Sequence, residues 1–126
     1  MLLSEYLTTL AKAVTEYSKT SLIIDSDLTT DFRTEKIGIV KGSITFADES
    51  RLFFTEYVDV RYKVEKITYS YHYQDQAGKL IFRYDNARHR PQLTLKDHKH
   101  LLNGEATQSE VPEFSAVLEE IMEFLV

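Results

Sequence analysis

All four histidines of the 126-residue chain fall between Tyr69 and His100: His72, His89, His98 and His100. The same stretch carries Arg83, Arg88, Arg90 and Asp85 among several tyrosines. Histidine titrates near neutral pH, so it can take or give a proton in a transition state. Arginine grips phosphate through its planar fork. Together these residue types suit metal-free cleavage of a phosphodiester: a base, an acid, and a cation for the crowded phosphate. The candidates are His72, Arg83, Tyr84, Asp85, His89, His98 and His100, with Tyr73 and Tyr84 available to stack on bases. A structural alternative makes Arg83 and Asp85 an anchoring ion pair and His72 a hydrogen-bonding sheet residue.

His98-Lys99-His100 is a second pattern. On a strand, side chains at i and i+2 point the same way and could chelate one metal ion together with Glu105. This faintly resembles the first metal motif of cupins, but the glycine expected further on is absent and Asn103-Gly104 interrupts the strand. The reading is therefore of a protein without a metal or other cofactor.

Charge sharpens the choice of region. The chain as a whole is acidic, with a formal net charge of −5, which argues against non-specific gripping of phosphate backbone. Residues 83–100 hold five basic residues against two acidic ones, a local +3 that leaves −8 for the rest. Local basicity in an acidic chain suggests an anion site; a solvated loop is the plain alternative. The chain contains no cysteine, so disulfides, zinc-thiolate sites and cysteine nucleophiles are excluded. MLLSEYL has no basic n-region and no apolar run is long enough to span a bilayer, so a cytoplasmic protein away from the membrane is expected.

The length and composition fit one folded domain over 1–126. Leu3, Leu7, Leu10, Val14 and Tyr17 recur at helical spacing, with Ser4 as a candidate N-cap. Leu22-Ile23-Ile24 reads as a strand, and 25–35 is open between loop and ragged strand. From Ile37 to Phe46 the pattern is extended, with a bulge or a two-sided strand expected near Gly38. Arg51 to Tyr62 is the next strand. Glu56 shares the face of Leu52 and Phe54, and a place at the sheet's end in water is expected for it.

Ile67, Tyr69, Tyr71 and Tyr73 alternate with polar residues, the clearest period-two signal in the chain, and this stripe is expected to be core. Asp75-Gln76-Ala77-Gly78 turns the chain. Two registers compete there. Pairing Gln74 with Lys79 puts Leu80, Phe82 and Tyr84 with the tyrosines. A Gly78 bulge that faces Asp75 with Lys79 fits the turn residues better. Burial of one whole aromatic face favours the first. Arg88 to Pro91 reads as a loop, Gln92 to Leu95 as a short strand, and Pro112 opens a last helix with Phe114, Val117, Leu118, Ile121 and Leu125 inward. The fold expected is α+β: a mainly antiparallel twisted β-sheet of about five strands flanked by an N-terminal and a C-terminal helix.

The order HYQD, GKLIFRYDN, a histidine, HKH and a terminal VLEEI helix resembles the TumE family, toxin components of type II toxin–antitoxin pairs. The matching positions are Glu56, Tyr71 to Asp75, Gly78, Phe82 to Asn86, His89, His98 and His100, within roughly the last two-thirds of the chain. One departure is visible: the family tends to a second histidine after His89, where this chain has Arg90. The resemblance implies a small prokaryotic toxin, possible as a homodimer, whose partner is a cognate, DNA-binding antitoxin; action on RNA or the ribosome is expected only by analogy with type II toxins as a class. Other readings are a non-enzymatic binding module using the basic loop 83–100 and a cupin-like metal-dependent enzyme.

Overall fold

The computed structural model describes residues 1–86 and 97–125. Helix α1 (Leu3–Ser18) is followed by strands β1 (Ile23–Phe32), β2 (Ile37–Phe46), β3 (Arg51–Asp59), β4 (Glu65–Gln74), β5 (Leu80–Asp85), β6 (His98–Leu101) and β7 (Ala106–Gln108), then helix α2 (Phe114–Leu125). The seven strands among the described residues form one antiparallel sheet in the order of the sequence, rather than about five.

Two features of this sheet escaped the sequence for different reasons: the length of β1, and the two strands β6 and β7 beyond the expected five. β1 continues the strand expected at Leu22-Ile23-Ile24 through the polar stretch 25–32, where Leu28 and Thr30 are half-buried and the rest exposed, so no run of apolar alternation marks it. β6 and β7 are four and three residues long, and Asn103-Gly104 is the turn between them rather than the end of pairing.

Both helices cover the same side of the sheet. Leu3, Tyr6, Leu10 and Val14 of α1 and Phe114, Val117, Leu118 and Ile121 of α2 share one buried cluster with Ile44, Leu52, Phe54, Tyr71, Tyr73 and Phe82. The first helix begins one residue before the expected cap. Leu2 holds the N-cap position, Ser4 lies inside the first turn, and the Glu5 carboxylate accepts the Leu2 N–H at 2.8 Å. β2 pairs without interruption on Gly38, so the strand is two-sided and not bulged. Glycine is required there because a Cβ would lie 2.5 Å from the Asp31 carbonyl and 2.7 Å from a Leu3 methyl.

Two irregularities decide which side chains face which way. Between β3 and β4, Tyr57 pairs with Thr68 but Val58 pairs with Lys66, leaving Ile67 as the extra residue. The bulge turns Ile67 outward, 42% exposed, and turns Lys66 into the core. Between β4 and β5 the turn takes the glycine-bulge form: Asp75 N–H donates to the Lys79 carbonyl, and Gly78 has φ 88°. A second shift at Gln74, which pairs with Leu80, then restores Tyr73 opposite Phe82 and Tyr71 opposite Tyr84. The expected pairing of Gln74 with Lys79 is thus replaced, and Leu80 leaves the tyrosine face. Turn chemistry and aromatic burial are both satisfied at the cost of one unpaired residue, Ile81. Each large side chain kept inside is worth about 1.5–3 kcal/mol, enough to hold that compromise.

Candidate functional site

Pairing across the sheet lines up side chains in rungs. One rung runs Phe53, His72, Arg83, His100 over β3 to β6; the next runs Thr55, Ser70, Asp85, His98. They alternate with the buried Phe54, Tyr71 and Phe82, so they stand on the face away from the helices. The expected candidates Arg83, Asp85, His72, His98 and His100 are therefore brought together by register alone.

Asp85 is the hub. Its carboxylate is buried and accepts the Arg83 Nε–H at 2.8 Å. The Nε2 atoms of two imidazoles approach it, His98 at 2.6 Å and His100 at 3.5 Å. The His98 and His100 rings meet edge to face at 4.8 Å. Arg83 extends the chain of contacts by donating from Nη1 to His72 Nδ1 at 3.3 Å. That leaves the proton of a neutral His72 on Nε2, 3.1 Å from the Gln74 side-chain oxygen. Exposure separates the roles. Arg83 and His100 side chains are 36% and 20% exposed, whereas His98 is fully buried. Arg83, His72 and His100 can meet a ligand; His98 and Asp85 can hold those groups in place.

The remaining candidates are dispersed. The Tyr84 phenol points to the helix side, donating to Glu120 of α2 at 2.5 Å, and burial raises its pKa. Tyr73 is fully buried, its hydroxyl 2.7 Å from Ser50 Oγ, so it offers no ring for base stacking. His89, with Arg88, Arg90 and the expected strand at Gln92 to Leu95, lies outside the described residues.

The donor set for a metal ion differs from the expected one. Glu105 is exposed ahead of β7, and Asp85 takes its place beside His98 and His100, with one ligand atom from each within 4.8 Å of the others. One carboxylate and two imidazoles could bind a divalent transition metal. The Arg83 guanidinium, however, already neutralises the same carboxylate and would stand beside the incoming charge.

A second polar cluster lies under the helices and was not anticipated. Glu56 is fully buried, not at the sheet's end in water. It accepts hydrogen bonds from the Tyr6 hydroxyl at 2.5 Å and from the Tyr71 hydroxyl, and Lys66 Nζ lies 3.5 Å away. Lys66 also donates to the Pro112 carbonyl at 2.6 Å and to Tyr71 at 2.5 Å. Burial, reinforced by Glu56, pushes the Tyr6 and Tyr71 pKa values far up. Burial lowers that of Lys66 against the pull of Glu56. A cavity of about 300 Å3 between the helices is lined by Tyr6, Leu10, Lys66, Glu113 and Phe114. Its polar floor is already satisfied by mutual hydrogen bonds, and no histidine lines it. Among the described residues, no helix is long and apolar enough to cross a membrane.

The family model described as Toxin TumE matches residues 10–126, extending the likeness well beyond the last two-thirds of the chain. No curated protein and no solved structure matches.

Proposed function

The chain belongs to the TumE toxin family, and from that premise we propose that it cleaves RNA at the His72–Arg83–His100 rung. As a toxin of a toxin–antitoxin system it has a cognate antitoxin as partner. The observation that carries the reading is the register that sets one arginine between two histidines, with a carboxylate and a third histidine on the next rung.

A phosphodiester seated on Arg83 lies beside both imidazoles. One imidazole takes the proton of the ribose 2′-hydroxyl as its oxygen attacks phosphorus. The other gives a proton to the departing 5′-oxygen. The products are a 2′,3′-cyclic phosphate and a free 5′-hydroxyl, with no metal consumed or required. Asp85 and His98 act by positioning Arg83 and His100. His89, a candidate from the sequence that lies outside the described residues, is tested beside them. The antitoxin is the DNA-binding member of the pair, and both work in the cytoplasm of a prokaryote.

The test expresses His72→Ala, Arg83→Ala, His89→Ala and His100→Ala beside wild type and measures growth, antitoxin binding and melting temperature. Loss of toxicity in a stable protein that still binds antitoxin is the expected result for the rung residues. Full toxicity in all four with unchanged melting eliminates the site.

A further inference from the structure

The outer face of the sheet extends past the rung assigned to cleavage. Between β2 and β5 it forms an open depression of about 390 Å3, bordered by Lys41, Phe53, Thr55, His72 and Arg83. Phe53 is half-buried there, paired with Ser43 on one side and His72 on the other. The core lies wholly on the opposite face, so packing under the helices does not explain this ring.

Its nearest charged neighbours are cationic, with Asp25 and Asp27 two strands away on β1. The Arg51 guanidinium lies over the ring, 4.8 Å from its centroid, and the His72 ring is 6.4 Å away. Lys41 is exposed on the adjoining rung. Among the described residues neither Lys41 nor Arg51 enters an ion pair. On the helical side, α2 carries Glu119, Glu120 and Glu123 and no basic residue.

We infer that this face is a platform for single-stranded RNA, on which a base stacks against Phe53 while a phosphodiester two strands away lies over Arg83. The inference rests on the cleavage reading above and adds the substrate form and the residues that hold it. β3 and β5 are two strand spacings apart, about 10 Å, so Phe53 and Arg83 address neighbouring parts of one strand. Aromatic rings on an open sheet, with cations tracking the backbone, bind unpaired nucleotides because every base has a free face to stack. Duplex RNA hides those faces. Lys41 and Arg51 supply salt-sensitive backbone contacts.

The experiment uses His100→Ala as the cleavage-disabled parent, its fold checked by melting, and titrates it with a fluorescent single-stranded RNA dodecamer at several salt concentrations. In that background Phe53→Leu keeps apolar volume without the ring and weakens binding about tenfold or more. Phe53→Trp binds at least as well as the parent. The double variant Lys41→Ala, Arg51→Ala flattens the slope of log Kd against log salt by about 1.4. That arm alters exposed side chains and stands even if the leucine variant does not fold. A blunt duplex of the same sequence binds more weakly. Parent-like affinity in Phe53→Leu, or equal binding of duplex, overturns the platform and leaves the cleavage reading intact. Failure of the parent to bind RNA also overturns the platform. Full toxicity of His72→Ala, Arg83→Ala and His100→Ala overturns the cleavage reading itself.

Discussion

Glu56 and Asp85 make an instructive pair. Both carboxylates are withdrawn from water, and each gathers a cation and ring-bearing side chains. An isolated buried charge costs several kcal/mol, so both need those partners. The difference lies in where the partners lead. Tyr6, Tyr71 and Lys66 are themselves buried, and their polar atoms end on Glu56, on each other and on Pro112. Arg83 and His100 run from Asp85 to the open face of the sheet. Burial of a carboxylate is therefore no mark of a site by itself; partners that reach solvent are. Glu56 ties α1 and the segment before α2 to the sheet, while on the reading proposed above Asp85 aims groups at a ligand.

Substitutions can break this contrast. The largest effect is expected in His100→Ala, which lowers RNA cleavage by about 10²–10⁴ while leaving stability within about 1 kcal/mol; timed gel assays and denaturant melts check both. Glu56→Ala is the mirror case. Removing one partner of a buried ion pair costs about 3–5 kcal/mol, read as a lowered urea midpoint, and any protein that remains folded keeps its cleavage rate. A Glu56 variant that folds normally but is inactive would reverse the assignment of the two clusters.

Alkaline pH sharpens the same comparison. Tyr6, Tyr69 and Tyr71 have folded pKa values above the unfolded value near 10, because burial and nearby carboxylates disfavour the phenolate. Above about pH 10 the unfolded chain loses these protons and the folded chain keeps them, so stability falls as pH rises. Lys66, whose folded pKa is lowered, has the opposite sign: between its folded and unfolded values the unfolded state holds the extra proton, and stability rises with pH. Tyr17, Tyr73, Tyr84 and Lys99, also raised, act in the same direction as these tyrosines, so a net loss of stability is predicted from pH 10 to 11 in denaturant titrations, smaller in Tyr6→Phe.

Smaller effects follow. Tyr84→Phe removes one hydrogen bond to Glu120 on the helix side and costs about 1 kcal/mol of stability without changing cleavage. A loss of cleavage there would bring Tyr84 into the site. Last, dialysis against a chelator is expected to leave cleavage unchanged, because the Arg83 guanidinium already lies against Asp85. Activity lost to the chelator and restored by zinc or manganese would make Asp85, His98 and His100 a metal centre.

Much of this was legible in the sequence where a period is strict. Both helices and the tyrosine stripe of β4 follow from spacing, and the gathering of histidines pointed to β4 through β6. What stayed hidden depends on irregularity and on distance along the chain. Strict alternation puts Ile67 inside and Lys66 outside; the bulge exchanges them, and only then does Glu56 acquire its cation. Tyr6 meets Glu56 across fifty residues, a contact no local pattern encodes. Tyr84 carried the chemistry of a site residue, but parity along β5 directs it to the helix side, where it reaches Glu120.

The order of the strands also has a consequence in time. Each strand pairs with the one made just before it, so the sheet can grow hairpin by hairpin as the chain leaves a ribosome at roughly 5–20 residues per second. The Asp85 hub closes only when β6 folds back on β5, after His100 has emerged. Helix α2, whose Glu120 takes Tyr84 and Lys99, comes later still. If the proposed rung is the site, the nascent polypeptide is an unarmed weapon until β6 has paired. On the cleavage proposed above, the pairing of β6 with β5 sets how promptly an antitoxin has to arrive.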